Sequence, residues 1–229
     1  MKTLKPLILA CITLFILLTG CKKDKTKEQD CKLLTVTTDV GSTVFTYDGN
    51  GRISSITRGN KVARYEYSGS SVIVNVTVDG AFFHKINATL NDNHLPVNIR
   101  LDKNVAGTQW NNYLMEYSGT QLIKRTDTYH TGSTPQVANY TWVNGNLVSS
   151  TSGSGTVSFT YDESKAVQAA DVLTVSGLLS DDGFIMIKNR NLVNSFNGMP
   201  VTYTFDAYNR ITGANIGTVA SSSYQYTCN

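Results

Sequence analysis

Along most of the chain apolar and polar residues alternate, and the alternation is marked by aromatic residues two apart: Phe45/Tyr47, Tyr65/Tyr67, Tyr140/Trp142, Phe159/Tyr161, Tyr203/Phe205 and Tyr224/Tyr226. Period-two spacing puts both rings of a pair on one face of a strand. Turn residues follow most pairs at once. Tyr47 leads into Asp48-Gly49-Asn50-Gly51, Tyr67 into Ser68-Gly69, Trp142 into Val143-Asn144-Gly145-Asn146, Tyr161 into Asp162, and Phe205 into Asp206-Ala207-Tyr208-Asn209. Asp-Gly and Asn-Gly supply the positive φ that tight hairpins require. Beyond the turns an apolar residue resumes at Ile53, Val72, Leu147 and Ile211. Two degenerate copies fit between: Leu90 to Leu95 lacks the rings, and Tyr117 to Leu122 has Met115 in place of the first ring. Each unit reads as a strand, a tight turn and a returning strand, and consecutive units make an antiparallel meander.

The second anchors stand at 47, 67, 90, 117, 142, 161, 205 and 226, so that the steps are 20, 23, 27, 25, 19, 44 and 21 residues. Counting the long step as two ordinary ones predicts about 14 to 16 strands. Within residues 166–196 the pattern changes. Ala169, Val172, Leu173 and Leu179 lie near helical spacing and end before Gly183, which predicts a short helix over 168–180, then a strand from Phe184 to Ile187 and a loop at Asn189-Arg190-Asn191. A helix in such a meander plugs or caps an open end. A sheet this long accumulates twist and exposes two edges, so closure into a barrel-like shell is expected. The face opposite the rings holds Thr46, Arg64, Glu66, Thr141, Thr160, Thr204 and Gln225, unlike the apolar band of a lipid-facing wall. The expected fold is all-β, a soluble barrel with its rings inside.

The N-terminus is of another kind. Lys2 and Lys5 precede an apolar run from Leu7 to Leu18, too short to span a bilayer. It reads as an export signal over residues 1–20. Leu18-Thr19-Gly20-Cys21 resembles a bacterial lipobox, in which cleavage falls before the cysteine and that cysteine is acylated; Cys21 is therefore the expected lipidation site. Residues 22–30 contain no apolar side chain and read as a hydrophilic tether. Lys22 stands where other lipoproteins carry an Asp for inner-membrane retention, which implies the outer membrane, periplasmic or surface-facing. The remaining chain, 31–229, is read as a single hairpin-repeat domain.

With Cys11 in the signal and Cys21 acylated, Cys31 and Cys228 remain, one at each end of the domain. In an exported protein one intramolecular disulfide between them would close a loop worth around 5 kcal/mol in chain entropy. Two unrelated buried thiols are the other reading. A disulfide would bring the first and last strands together, as closure requires.

Charge narrows the partners. From residue 31 onward 14 basic residues face 14 acidic ones, so the domain has no electrostatic footprint for nucleic acid. His84, His94 and His130 are too scattered for a metal signature and read as surface or turn residues; no metal or cofactor is expected. Asp48, Asp162 and Asp206 head turns, and Glu66 and Glu116 point away from the rings into solvent. Trp110, flanked by Gln109, Asn111 and Asn112, is the candidate ligand contact, since a ring among amides suits a sugar.

Tyr47 to Ile53 and Phe205 to Ile211 resemble YD repeats, the hairpin units of RHS-type proteins. The chain from about 33 to 227 also resembles Bacteroidota lipoproteins of unknown function with a porin-like fold. The resemblance implies architecture and compartment, and it carries over no catalytic residue. The expected function is thus a non-enzymatic binding or structural module, held to the membrane through its lipid alone, with a glycan or another envelope protein as partner. The alternative is a glycan hydrolase with two carboxylates at a barrel mouth.

Overall fold

The computed structural model describes residues 31–179 and 183–228; the signal segment, Cys21 and the tether lie outside the described residues. The strands are β1 (Cys31–Thr38), β2 (Gly41–Tyr47), β3 (Ile53–Arg58), β4 (Lys61–Ser68), β5 (Ser71–Val78) and β6 (Ala81–Leu90). They continue as β7 (Pro96–Asp102), β8 (Trp110–Ser118), β9 (Gln121–Tyr129), β10 (Gln136–Val143), β11 (Asn146–Ser152) and β12 (Gly155–Ala166). A helix, α1 (Val172–Leu179), precedes β13 (Asn191–Phe196), β14 (Met199–Phe205), β15 (Ile211–Ile216) and β16 (Ala220–Cys228). The sixteen strands form one closed antiparallel barrel in chain order, with β1 against β16. Beside that seam Ser221 Oγ donates to Asp39 Oδ1 at 3.1 Å.

Every even-numbered strand carries one of the anchors, so the step from Tyr161 to Phe205 is a single unit carrying an insert, not two ordinary units. Further departures lie in that insert. β12 runs on through Asp162 to Ala166, where a turn was expected, because the strand bulges between Asp162 and Ala166 and Asp162 Oδ1 caps Ser164 N locally at 3.1 Å. The helix is shorter than 168–180. Phe184 to Ile187 is no strand: it pairs with no neighbour in the sheet and runs through the lumen.

One irregularity recurs around the barrel. At the start of most returning strands a residue is skipped in the ladder, opposite Tyr47, Leu90, Tyr117, Trp142, Tyr161 and Phe205. The extra residue makes a bulge and reverses the side-chain parity beyond it. Inward positions after these turns are therefore three apart: Ile53/Ile56, Pro96/Ile99, Leu122/Arg125, Leu147/Ser150, Val193/Phe196 and Ile211/Ala214.

Apart from Phe205, the second ring of each unit that has one latches its strand to the one before. Tyr47, Tyr67, Tyr117, Tyr161 and Tyr226 donate their hydroxyls to the carbonyls of Leu33, Ile53, Pro96, Leu147 and Ile211, at 2.6, 2.9, 3.0, 2.6 and 2.7 Å. Trp142 Nε1 does the same to Leu122 O at 2.7 Å. A half-buried phenol thus finds its partner in a backbone carbonyl of the preceding strand. Three of the turns are capped alike. Asp48 Oδ1 accepts from Asn50 N and Arg52 N, and Asp206 Oδ1 from Tyr208 N and Arg210 N. Asn91, in the copy without rings, accepts from Asn93 N and Leu95 N in the same way. The Arg52 guanidinium pairs with Asp48 at 2.7 Å and lies 4.2 Å from the Tyr67 ring centroid.

The lumen is filled. Leu33, Val36, Phe45, Leu192, Ile211 and their neighbours pack on α1 through Val172, Val175 and Leu178. A second group, with Val72, Val74, Ile86, Ile99 and Leu122, closes around Phe184, whose ring stands edge-on to Tyr65 with centroids 6.4 Å apart. Side-chain amides and one carboxylate stitch the insert to the wall. Gln168 bridges Asn209 O and Ile211 N, and Asn189 Oδ1 accepts from Leu147 N and Tyr161 Oη. Asp171, wholly buried, caps α1 through Leu173 N and accepts from Val193 N and the Tyr203 hydroxyl.

Outside, the wall is mostly polar, with exposed apolar residues such as Val44, Leu114 and Val137 scattered over it. Thr46–Ser55, Thr151–Thr156 and Thr160–Ser195 make hydroxyl pairs at 2.8, 3.0 and 2.7 Å. Glu66 and Glu116 are exposed, as expected, with Lys124 Nζ 2.8 Å from Glu116. Cys31 and Cys228 form a disulfide with a sequence separation of 197 residues.

Candidate functional site

The ends of the barrel differ. At one, β1 begins and β16 ends, with the capped turns and both ends of the insert. The other is formed by the turns after odd-numbered strands, and here a cavity of about 740 Å³ opens between the β9–β10 loop and the β11–β12 turn. Arg125, Asp127, Gln136, Tyr140, Ser152 and Ser154 contribute its polar groups, and Pro135 lies on its rim.

The bulge at Ile123 creates this site. It leaves Lys124 facing outward to Glu116 and turns Arg125 and Asp127 inward, opposite Met115 and Tyr113 of β8. Where other returning strands bring Ile56, Ile99 or Ala214 into the lumen, β9 brings a guanidinium and β11 brings Ser150. Arg125 Nε and an η nitrogen donate to the two Asp127 oxygens, each at 2.7 Å, and the guanidinium lies 4.6 Å from the Tyr113 ring centroid. A bidentate pair of this kind fixes both side chains and cancels their charge.

Tyr140 lies across from them on β10. Burial raises its pKa, Asp127 adds to the rise, and Arg125 opposes it. The phenol therefore stays protonated at neutral pH, and among the described residues its hydroxyl has no hydrogen-bond partner. Asn111 gives Nδ2 to Tyr113 Oη at 3.0 Å, while its Oδ1 is buried without a partner. A smaller cavity of about 270 Å³, between α1 and the β1–β2 and β15–β16 turns, is lined largely by Val40, Val172, Val175, Leu179, Ile216 and Val219.

Trp110 is not in either cavity. It stands on the outer face at the start of β8, opposite Asp102, with the Arg100 guanidinium 5.1 Å from its ring. His84 corrects the surface reading: it lies on the inward face of β6 and is 4% exposed, two residues before Ile86 on the same face. His94 is in a turn with φ of 57°, and His130 Nδ1 lies 3.3 Å from Trp110 O at the end of β9. Asp127 is the one carboxylate lining the larger cavity, so no pair of acids meets there.

Fold and site together define a closed, internally filled antiparallel barrel with one polar luminal cavity. No protein-family model matches the chain, and no curated protein matches it. Among solved structures it is similar to a porin-like protein from Bacteroides uniformis ATCC 8492, at 15% identity and a TM-score of 0.60, covering 84% of this chain and 90% of that one. It is also similar to a porin-like protein from Bacteroides vulgatus ATCC 8482, at 13% identity and a TM-score of 0.58, covering 85% of this chain and 98% of that one. At such identities the likeness is one of fold.

Proposed function

We propose that this protein is a lipid-anchored, non-enzymatic binding module of the bacterial outer membrane, carried on Cys21 and a short tether, and not a channel. The observation that carries the reading is the filled lumen: α1 and Phe184 occupy the space through which solute would pass. The hydroxyl-lined outer wall argues the same way, because a spanning barrel needs an outward apolar band about 25 Å tall. The lipobox-like Leu18 to Cys21 and the fold shared with porin-like Bacteroides proteins support the compartment. The Asp-capped, Tyr-latched hairpins support reading the units as YD-type repeats.

The test is fractionation of expressing cells. Wild type is expected in outer membranes and labelled by radioactive fatty acid, whereas Cys21→Ala is expected to lose the label and leave that fraction. Ion conductance by the purified chain in planar bilayers would sink the non-channel reading.

A further inference from the structure

We propose that the cavity at the far mouth binds a neutral sugar, one or two rings of a glycan, held by Tyr140, Asp127, Gln136 and the Ser152/Ser154 hydroxyls. This rests on the binding-module reading and adds to it a ligand class and a place.

The volume of about 740 Å³ falls within the range of small-molecule sites. Its electrostatics select against ions. Arg125 is already satisfied by both oxygens of Asp127, so an anion would have to displace a bidentate partner, and a cation would find a carboxylate already neutralised. A metal would find one carboxylate in the lining and no more. Hydrogen-bonding capacity, in contrast, is plentiful. Tyr140 offers an unengaged O–H, and each Asp127 oxygen keeps a lone pair beyond the one Arg125 uses. Ser152 and Ser154 share a hydrogen bond at 2.8 Å and Gln136 Oε1 accepts from Tyr129 Oη at 3.4 Å, which leaves the Gln136 amide N–H groups and the remaining hydroxyl lone pairs for a ring of hydroxyls. Pro135 and the Tyr140 ring supply the apolar surface against which the C–H face of a sugar lies. Arg125 and Asp127 brace each other, so the acceptor oxygens are positioned before the ligand arrives.

The experiment uses the full chain, extracted in a non-glycosidic detergent. Saturation-transfer NMR and calorimetric titration are run with methyl glucoside, methyl galactoside, N-acetylglucosamine, maltose and cellobiose, with inorganic phosphate as the anionic probe. Saturable binding of at least one neutral sugar, and none of phosphate, is expected. Tyr140→Phe, which breaks no hydrogen bond within the protein, should weaken that binding by roughly 3- to 10-fold while leaving the melting temperature unchanged. Asp127→Asn should lose the sugar and gain phosphate, because it frees the Arg125 charge. The proposal is overturned if none of these sugars binds, if phosphate binds the wild type, or if Trp110→Ala abolishes sugar binding while Tyr140→Phe does not. Anchoring is read separately, by fractionation of Cys21→Ala, so either idea can fail alone.

Discussion

A tyrosine hydroxyl contributes to stability only where the fold gives it an acceptor, and this barrel holds both cases. Tyr67 donates to Ile53 O at 2.9 Å, whereas Tyr140 faces the cavity. Tyr67→Phe is expected to cost about 1 kcal/mol in urea unfolding, the usual net worth of one hydrogen bond, and Tyr140→Phe nothing measurable. The latches also set an alkaline limit. Burial pushes Tyr47 and Tyr226 up from 10.0 to about 12, so the folded protein holds these protons after the unfolded chain has released them. Between those values the unfolded state binds fewer protons, and stability falls as pH rises. Melting followed by circular dichroism from neutrality upward should stay level until about pH 10 and then decline. Phenolate absorbance should appear together with unfolding; latch tyrosines that ionised in the intact barrel would contradict this.

At the scale of the element, the hairpins were legible and their phase was not. Ring pairs and turns bearing Gly, Asp or Asn announced most units, and even the copy without rings keeps its cap through Asn91. A bulge, however, has no residue signature of its own. Ser54 and Ile123 occupy the same skipped position with unrelated side chains. Period-two reading beyond Leu122 therefore assigns Arg125 and Asp127 to the wrong face, and the cavity they line was invisible in the sequence. Trp110 stood out as a ring among amides, yet parity put it outside. The insert was legible as a break in pattern, though its stitching depends on partners far apart in the chain. Asp171 joins α1, β13 and β14 by accepting hydrogen bonds from Leu173, Val193 and Tyr203 while wholly buried. Burial raises its pKa against those hydrogen bonds, so the folded state favours its protonation, and mild acid spares this joint. Asp171→Ala should cost about 2–4 kcal/mol, because buried donors lose a shared acceptor. Hydrogen exchange should show α1 amides losing protection before those of β4 to β6; uniform loss would mean that the insert and wall open as one.

The whole molecule is a ring of repeats, and the disulfide takes a turn's place in it. Elsewhere an even strand reaches the next odd strand through a short turn, or once through the insert; between β16 and β1 the Cys31–Cys228 bond makes that link. The neighbouring residues keep their repeat roles. Tyr47 latches onto Leu33 as Tyr67 does onto Ile53, and Lys32 Nζ lies 5.4 Å from the Tyr47 ring where Arg52 serves Tyr67. Closure thus rests on noncovalent pairing at the seam, and the bond lowers the entropy of the unfolded chain over a separation of 197 residues. Cys31→Ser with Cys228→Ser should leave the far-ultraviolet spectrum unchanged while lowering unfolding free energy by up to about 5 kcal/mol. A circular permutant should restore much of that loss. It would join the two ends through an Asp-headed turn copied from residues 48–52 and open the chain at the β8–β9 turn. If the bond instead forces together strands that would not otherwise meet, the double serine variant will lose β structure and the permutant will fail to fold.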